Sequence, residues 1–148
     1  MRSMLLAVLL AAATLTTTAS AGELKANRII LRVADLKTSV AFYRDRVGLR
    51  LQSTFDEFAV FEGGAGVTLM LQQIARKSDA PNSGLSAFTE VVLESPDVMA
   101  SYAEMKGRGV QFTREPFAAT TDGPRVLYAA NFKDPDGHVL SVTGWIAK

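Results

Sequence analysis

The sequence contains no cysteine and only one histidine, His138. Without thiols the chain cannot form disulfides, present a thiolate nucleophile or build a Cys-ligated zinc site. Charge of one sign is missing too: 16 Lys and Arg stand against 15 Asp and Glu. No basic run or basic amphipathic helix occurs, so nothing points to an electrostatic nucleic-acid binder. Serine-hydrolase and phosphate-cradling motifs are absent as well. The glycine-rich "EGGAG" at 62–66 lacks the Lys-Ser/Thr that would follow it in a phosphate loop. The long apolar stretch "MLLAVLLAAATL" at 4–15 is too short to span a bilayer.

That stretch follows Arg2 and leads through threonines to Ala19-Ser20-Ala21, a small-x-small cleavage pattern. The layout is that of a secretory signal peptide over residues 1–21, with the mature chain starting at Gly22 in the periplasm or outside the cell. An uncleaved membrane anchor is the alternative. Removing 21 residues from 148 leaves 127, enough for one domain with a sizeable core, and near-zero net charge.

The mature sequence repeats. "RIILRVADL" at 28–36 matches "EVVLESPDV" at 90–98, an offset of 62. Each is an apolar strand running into an aspartate, Asp35 or Asp97, placed to cap a helix. Leu36, Val40, Tyr43 and Val47 then keep helical spacing, as do Val98, Tyr102 and Met105. Gly48 and Gly109 stand where a left-handed residue would end each helix. Three strand-like segments follow in each half, and the last of them align, Gly66–Leu71 over Gly137–Val142. The polar, turn-rich 76–87 stretch is a linker between module one (27–75) and module two (88–148). The expected fold is α+β: two tandem βαβββ modules forming a cup-shaped mixed sheet, neither able to bury its sheet face alone.

"RIILRVADLKTSVAFYRDRVGLRL" and "NFKDPDGHVLSV" resemble the vicinal oxygen chelate superfamily, which includes glyoxalase I, bleomycin-resistance proteins and extradiol dioxygenases. The resemblance covers nearly all of the mature chain. It implies a glyoxalase/bleomycin-resistance-like cup that holds a small-molecule ligand, and it allows a homodimer. It also implies four metal-ligand positions, one at the start of the first strand and one in the last strand of each module. Carried over, these are Arg28, Met70, Glu90 and Ser141. Only Glu90 is a strong ligand. Arginine stays protonated, methionine is too soft for a hard divalent ion, and a lone serine hydroxyl is weak. The Asp134-Pro-Asp-Gly137 turn is kept, but the carboxylate expected after it is Ser141.

Strand alternation turns Ile29, Leu31 and Val33 toward the helix and Arg28, Ile30 and Arg32 toward the cup. Arg28 with Glu90 reads as an ion pair across the modules. Arg32, Gln72, Glu94 and Thr143 are the candidate ligand-binding residues. Arg32 is similar to the arginine by which glyoxalase I holds a carboxylate of its substrate, although it could also serve only to satisfy Glu94. By parity His138 points away from the cup, into a structural role beside the turn. "PFAATTDGPR" at 116–125 is long for a hairpin connection and reads as a lid or a loose loop.

The resulting expectation is an exported, metal-independent small-molecule-binding protein with no cofactor, no nucleic-acid partner and no stable membrane anchor; no catalytic residue is assigned. One alternative is a metal-dependent glyoxalase-like lyase or dioxygenase with displaced ligands. Another is a non-catalytic partner-binding protein.

Overall fold

The computed structural model describes residues 26–74 and 89–148. The expected leader over 1–21 and the linker over 76–87 lie outside the described residues. Module one runs β1 (Arg28–Val33), α1 (Leu36–Ala41), a π-helical segment (Phe42–Val47), β2 (Leu51–Phe55), β3 (Phe58–Glu62) and β4 (Thr68–Gln73). Module two repeats the order as β5 (Glu90–Glu94), α2 (Val98–Gly107), β6 (Phe112–Asp122), β7 (Arg125–Lys133) and β8 (Val139–Ala147). The sheets run β1-β4-β3-β2 and β5-β8-β7-β6. In each, the first strand pairs parallel with the last and the other pairings are antiparallel. This is the tandem βαβββ architecture expected from the repeat, its mixed sheet divided into two four-stranded halves.

Both helices start where their aspartates predict. Asp35 accepts from the Thr38 amide at 2.8 Å and Asp97 from the Ala100 amide at 2.9 Å. Each carboxylate satisfies one of the amides that the first turn leaves without a partner. Gly48 and Gly109 follow the helices with φ of 92° and 87°, a conformation that costs a residue with a Cβ free energy.

Two elements depart from the expectation. The first helix does not stay α: its second half is π-wound, and Gly48 N–H donates back to Tyr43 O at 3.1 Å. The wider winding brings Phe42 and Val47, five residues apart, into the same buried layer as Tyr43. The 116–125 stretch is neither lid nor loose loop. β6 continues to Asp122, which pairs directly with Arg125 across a two-residue Gly123-Pro124 turn. Pro116 sits in a register shift between Arg114 and Phe117, where a missing N–H removes no ladder bond.

The modules meet through their helix-covered faces. Leu31, Val33 and Leu71 of module one form one continuous core with Val91, Phe132 and Leu140 of module two. The Phe42 and Phe132 rings lie 6.4 Å apart across that boundary. Arg108, after α2, donates to Arg46 O at 2.8 Å and Val47 O at 3.2 Å. It thereby satisfies carbonyls that the end of the first helix would otherwise leave open.

Candidate functional site

Because the helix-covered faces are buried against each other, the opposite faces of the two sheets are left open. Alternation holds along most of the edge strands. Leu31 and Val33 are buried while Ile30 is 51% exposed, and Val91 is buried while Val92 is 58% exposed; Ile29, expected toward the helix, is the exception at 41% exposed. The parallel ladders set Arg32 beside Gln72 on the first sheet and Glu94 beside Thr143 on the second. The four candidate ligand-binding residues are therefore brought together two by two, in equivalent places on the two sheets. Among the described residues no hydrogen bond or ion pair joins one couple to the other.

The expected Arg28–Glu90 pair does not form within the chain. Arg28 Nε donates to Thr68 Oγ1 at 3.3 Å, and Glu90 accepts from Asn131 Nδ2 at 2.9 Å. Met70 and Ser141 are only 6% and 2% exposed, packed within their sheets. A permanent cation, a thioether, a neutral hydroxyl and one engaged carboxylate do not make a donor set for a hard divalent ion. Among the described residues no three His, Asp or Glu side chains gather as a cation site.

A family model described as the Glyoxalase/Bleomycin resistance protein/Dioxygenase superfamily matches residues 25–142. The chain belongs to this superfamily. Solved structures share its fold. A protein of unknown function from Agrobacterium tumefaciens is 22% identical with a TM-score of 0.66, over 83% of this chain and 95% of that one. A glyoxalase/bleomycin resistance protein/dioxygenase from Nocardioides is 22% identical with a TM-score of 0.60, over 86% and 87%. A glyoxalase-related enzyme from Fulvimarina pelagi is 17% identical with a TM-score of 0.63, over 81% and 87%. A search of curated proteins finds none that matches the sequence.

Within this superfamily fold the chain carries a polar cluster that sequence reasoning missed. Asp134, in the turn before β8, is buried and fully engaged. Its Oδ1 accepts from the amides of Asp136 and His138 at 3.0 and 2.8 Å. Its Oδ2 accepts from Tyr43 Oη at 2.8 Å and lies 2.8 Å from His138 Nδ1. Asp136 continues the contact, accepting from the Ala34 amide at 2.9 Å and Ser39 Oγ at 3.1 Å. The turn of module two is thus locked onto the first helix of module one. His138 points away from the open face, as its parity predicted, and serves this lock.

The ionisation of the cluster follows from its contacts. Burial raises the Tyr43 hydroxyl far above its ordinary value, and the neighbouring Asp134 adds to this, so Tyr43 is a permanent donor. Burial opposes the charge on Asp134, but His138 and Tyr43 outweigh it and its carboxyl falls below the usual range. The hydrogen bond to Asp134 raises His138 above its ordinary value against the pull of burial, helped by the charges of Asp134 and Asp136. The lock is thus an ion pair in weakly acidic solution. The signal that could have found it is the combination of Tyr43 on the apolar stripe of the first helix with two turn carboxylates; a buried tyrosine hydroxyl needs an acceptor.

Proposed function

We propose that this superfamily member is an exported small-molecule-binding protein that works without a divalent metal. The carrying observation is the exchange of donors on the open faces. The positions equivalent to metal ligands hold Arg28, Met70, Glu90 and Ser141, while the next rung carries Arg32 beside Gln72 and Glu94 beside Thr143. A guanidinium with an amide next to it is suited to grip a carboxylate or another planar oxyanion. Apolar neighbours such as Ile30 and Val92, both exposed, supply the body of a ligand site. A second copy of the chain laid over these faces would complete a cup, with one module from each chain.

Elemental analysis of the purified mature protein is the test. The expected result is no stoichiometric divalent ion, and an N-terminal mass that starts at Gly22 in exported material. One tightly held Zn²⁺, Ni²⁺, Mn²⁺ or Fe²⁺ per chain, lost in Glu90→Ala, would overturn the reading in favour of a metal-dependent lyase or dioxygenase.

A further inference from the structure

The two modules do not close their shared interface in the same way. The repeat that sets Gly66 over Gly137 also sets Gly63, Ala65 and Val67 over Asp134, Asp136 and His138. The turns share their closing bond: Gly63 N–H donates to Val67 O at 3.0 Å, and Asp134 N–H to His138 O at 3.1 Å. Where the second turn inserts two carboxylates and an imidazole, the first inserts a hydrogen, a methyl and an isopropyl group. In the place of a polar lock there is a cavity of about 730 Å³ between the 63–67 turn and β5. That volume is within the usual range for small-molecule sites, roughly 300–1,000 Å³.

The wall of the cavity defines its chemistry. Ile29, Leu49, Leu69 and Val91 make it mostly apolar. Residues from Val91 through Pro96 all border it without a gap. A strand face would contribute alternate residues only, so it is the edge of β5 that faces in. Among the described strands β5 pairs with β8 alone. Ser95 N–H donates to Thr143 O at 2.8 Å, so by the alternation of a parallel ladder Val92 and Glu94 turn their backbone groups to the free edge. Among the described residues no arginine or lysine lines the cavity, whereas Glu62 and Glu94 do. Glu62 shares its charge with Arg50 at 3.3 Å, which leaves Glu94 as the unpaired charge among the described residues of the wall.

We propose that this inter-module cavity is a binding site for a small hydrophobic cation, an apolar body carrying one protonated amine. The ammonium donates to the Glu94 carboxylate and to carbonyl oxygens on the free edge of β5, and the apolar body lies against Ile29, Leu69 and Val91. Glu94 lies on the edge strand, where it borders the cavity as well as the open face. The proposal does not depend on what Arg32 and Gln72 bind.

Full-length mature protein, titrated with benzylamine, benzyl alcohol and benzoate and followed by backbone amide NMR, tests it. Benzylamine is expected to shift the amides of Ala65, Val67, Val92 and Glu94, benzyl alcohol to shift them more weakly, and benzoate not at all. Glu94→Gln should weaken benzylamine about tenfold, the scale of one charge-assisted hydrogen bond, and leave benzyl alcohol unchanged. Val67→Phe, which fills the cavity, should abolish both. Three results would overturn the proposal: benzylamine shifts confined to Arg32 and Gln72, benzoate binding as well as benzylamine, or no shift at Ala65 and Val67.

Discussion

The turn at 134–138 and the turn at 63–67 occupy equivalent places in a repeated unit, yet one is hydrogen-bonded to the other module and the other borders a cavity. Their backbones close on the same bond, so the difference is made by three side chains. Asp134 brings every one of its contacts to a partner within 3.0 Å. In the first turn Ala65 and Gly66 have φ of 47° and 79°, and a Cβ on Gly63 would stand 2.6 Å from Val67 O. Module one has given up side chains at this turn for a tighter backbone; module two has kept a bulkier turn and used its carboxylates.

Removing the lock should therefore cost most. Asp134→Ala leaves a buried Tyr43 hydroxyl and His138 without their acceptor, and about 3–5 kcal/mol should be lost in urea unfolding. A loss under ~1 kcal/mol would show that the lock is ornamental. On the other turn, Gly63→Ala should cost about 1–3 kcal/mol from the Val67 clash alone, although no hydrogen bond is deleted.

Arg108→Ala removes the tie between the helix ends and bares the carbonyls of Arg46 and Val47. A loss of about 1–2 kcal/mol is expected, against nearly none for Arg46→Ala, its exposed counterpart by the repeat.

The lock also gives stability a pH dependence. His138 is raised from its ordinary 6.5, so its contribution is complete below that pH and is lost as pH climbs through its higher folded value. Asp134 is lowered from 3.8, so its contribution is present above that pH and is lost as pH falls through its lower folded value. Stability should peak between these limits. In His138→Gln the decline on the alkaline side should vanish while the acid side remains; an unchanged alkaline slope would place the titrating group elsewhere. The smallest effect belongs to Ala65→Gly, which relieves a left-handed alanine and should stabilise by a few tenths to about 1 kcal/mol.

Much of this was legible in the sequence because it is encoded locally. Asp35 and Asp97 cap helices through amides three residues away, so the repeat and the caps could be read directly. The π-winding of Phe42–Val47 was hidden, because helical spacing at Tyr43 and Val47 fits either winding and the choice is made by the packing of Phe42. β6 was cut short because the polar, turn-rich run at 116–125 reads as a long connection, and only the pairing with β7 shows that it continues the strand. Asp134 and Asp136 were read as turn formers, which they are; their second role depends on Tyr43, 91 residues away. The Arg28–Glu90 pair failed for the complementary reason: equivalent positions in a repeat need not face each other when the modules dock through their opposite sides.

The bulge around Pro116 matters for more than register. β6 is the outer strand of its sheet and is eleven residues long, the kind of exposed edge along which identical chains can zip together into fibrils. Pro116 offers no N–H there, the register shifts at Arg114–Phe117 and Ala118–Thr120 break the flat repeat, and Arg114 folds its guanidinium over the Phe117 ring, 3.3 Å from its centre. A second chain finds a kinked, charged and partly donorless border. An irregularity that looks like a flaw in the ladder thus makes this edge a poor template for pairing with another copy.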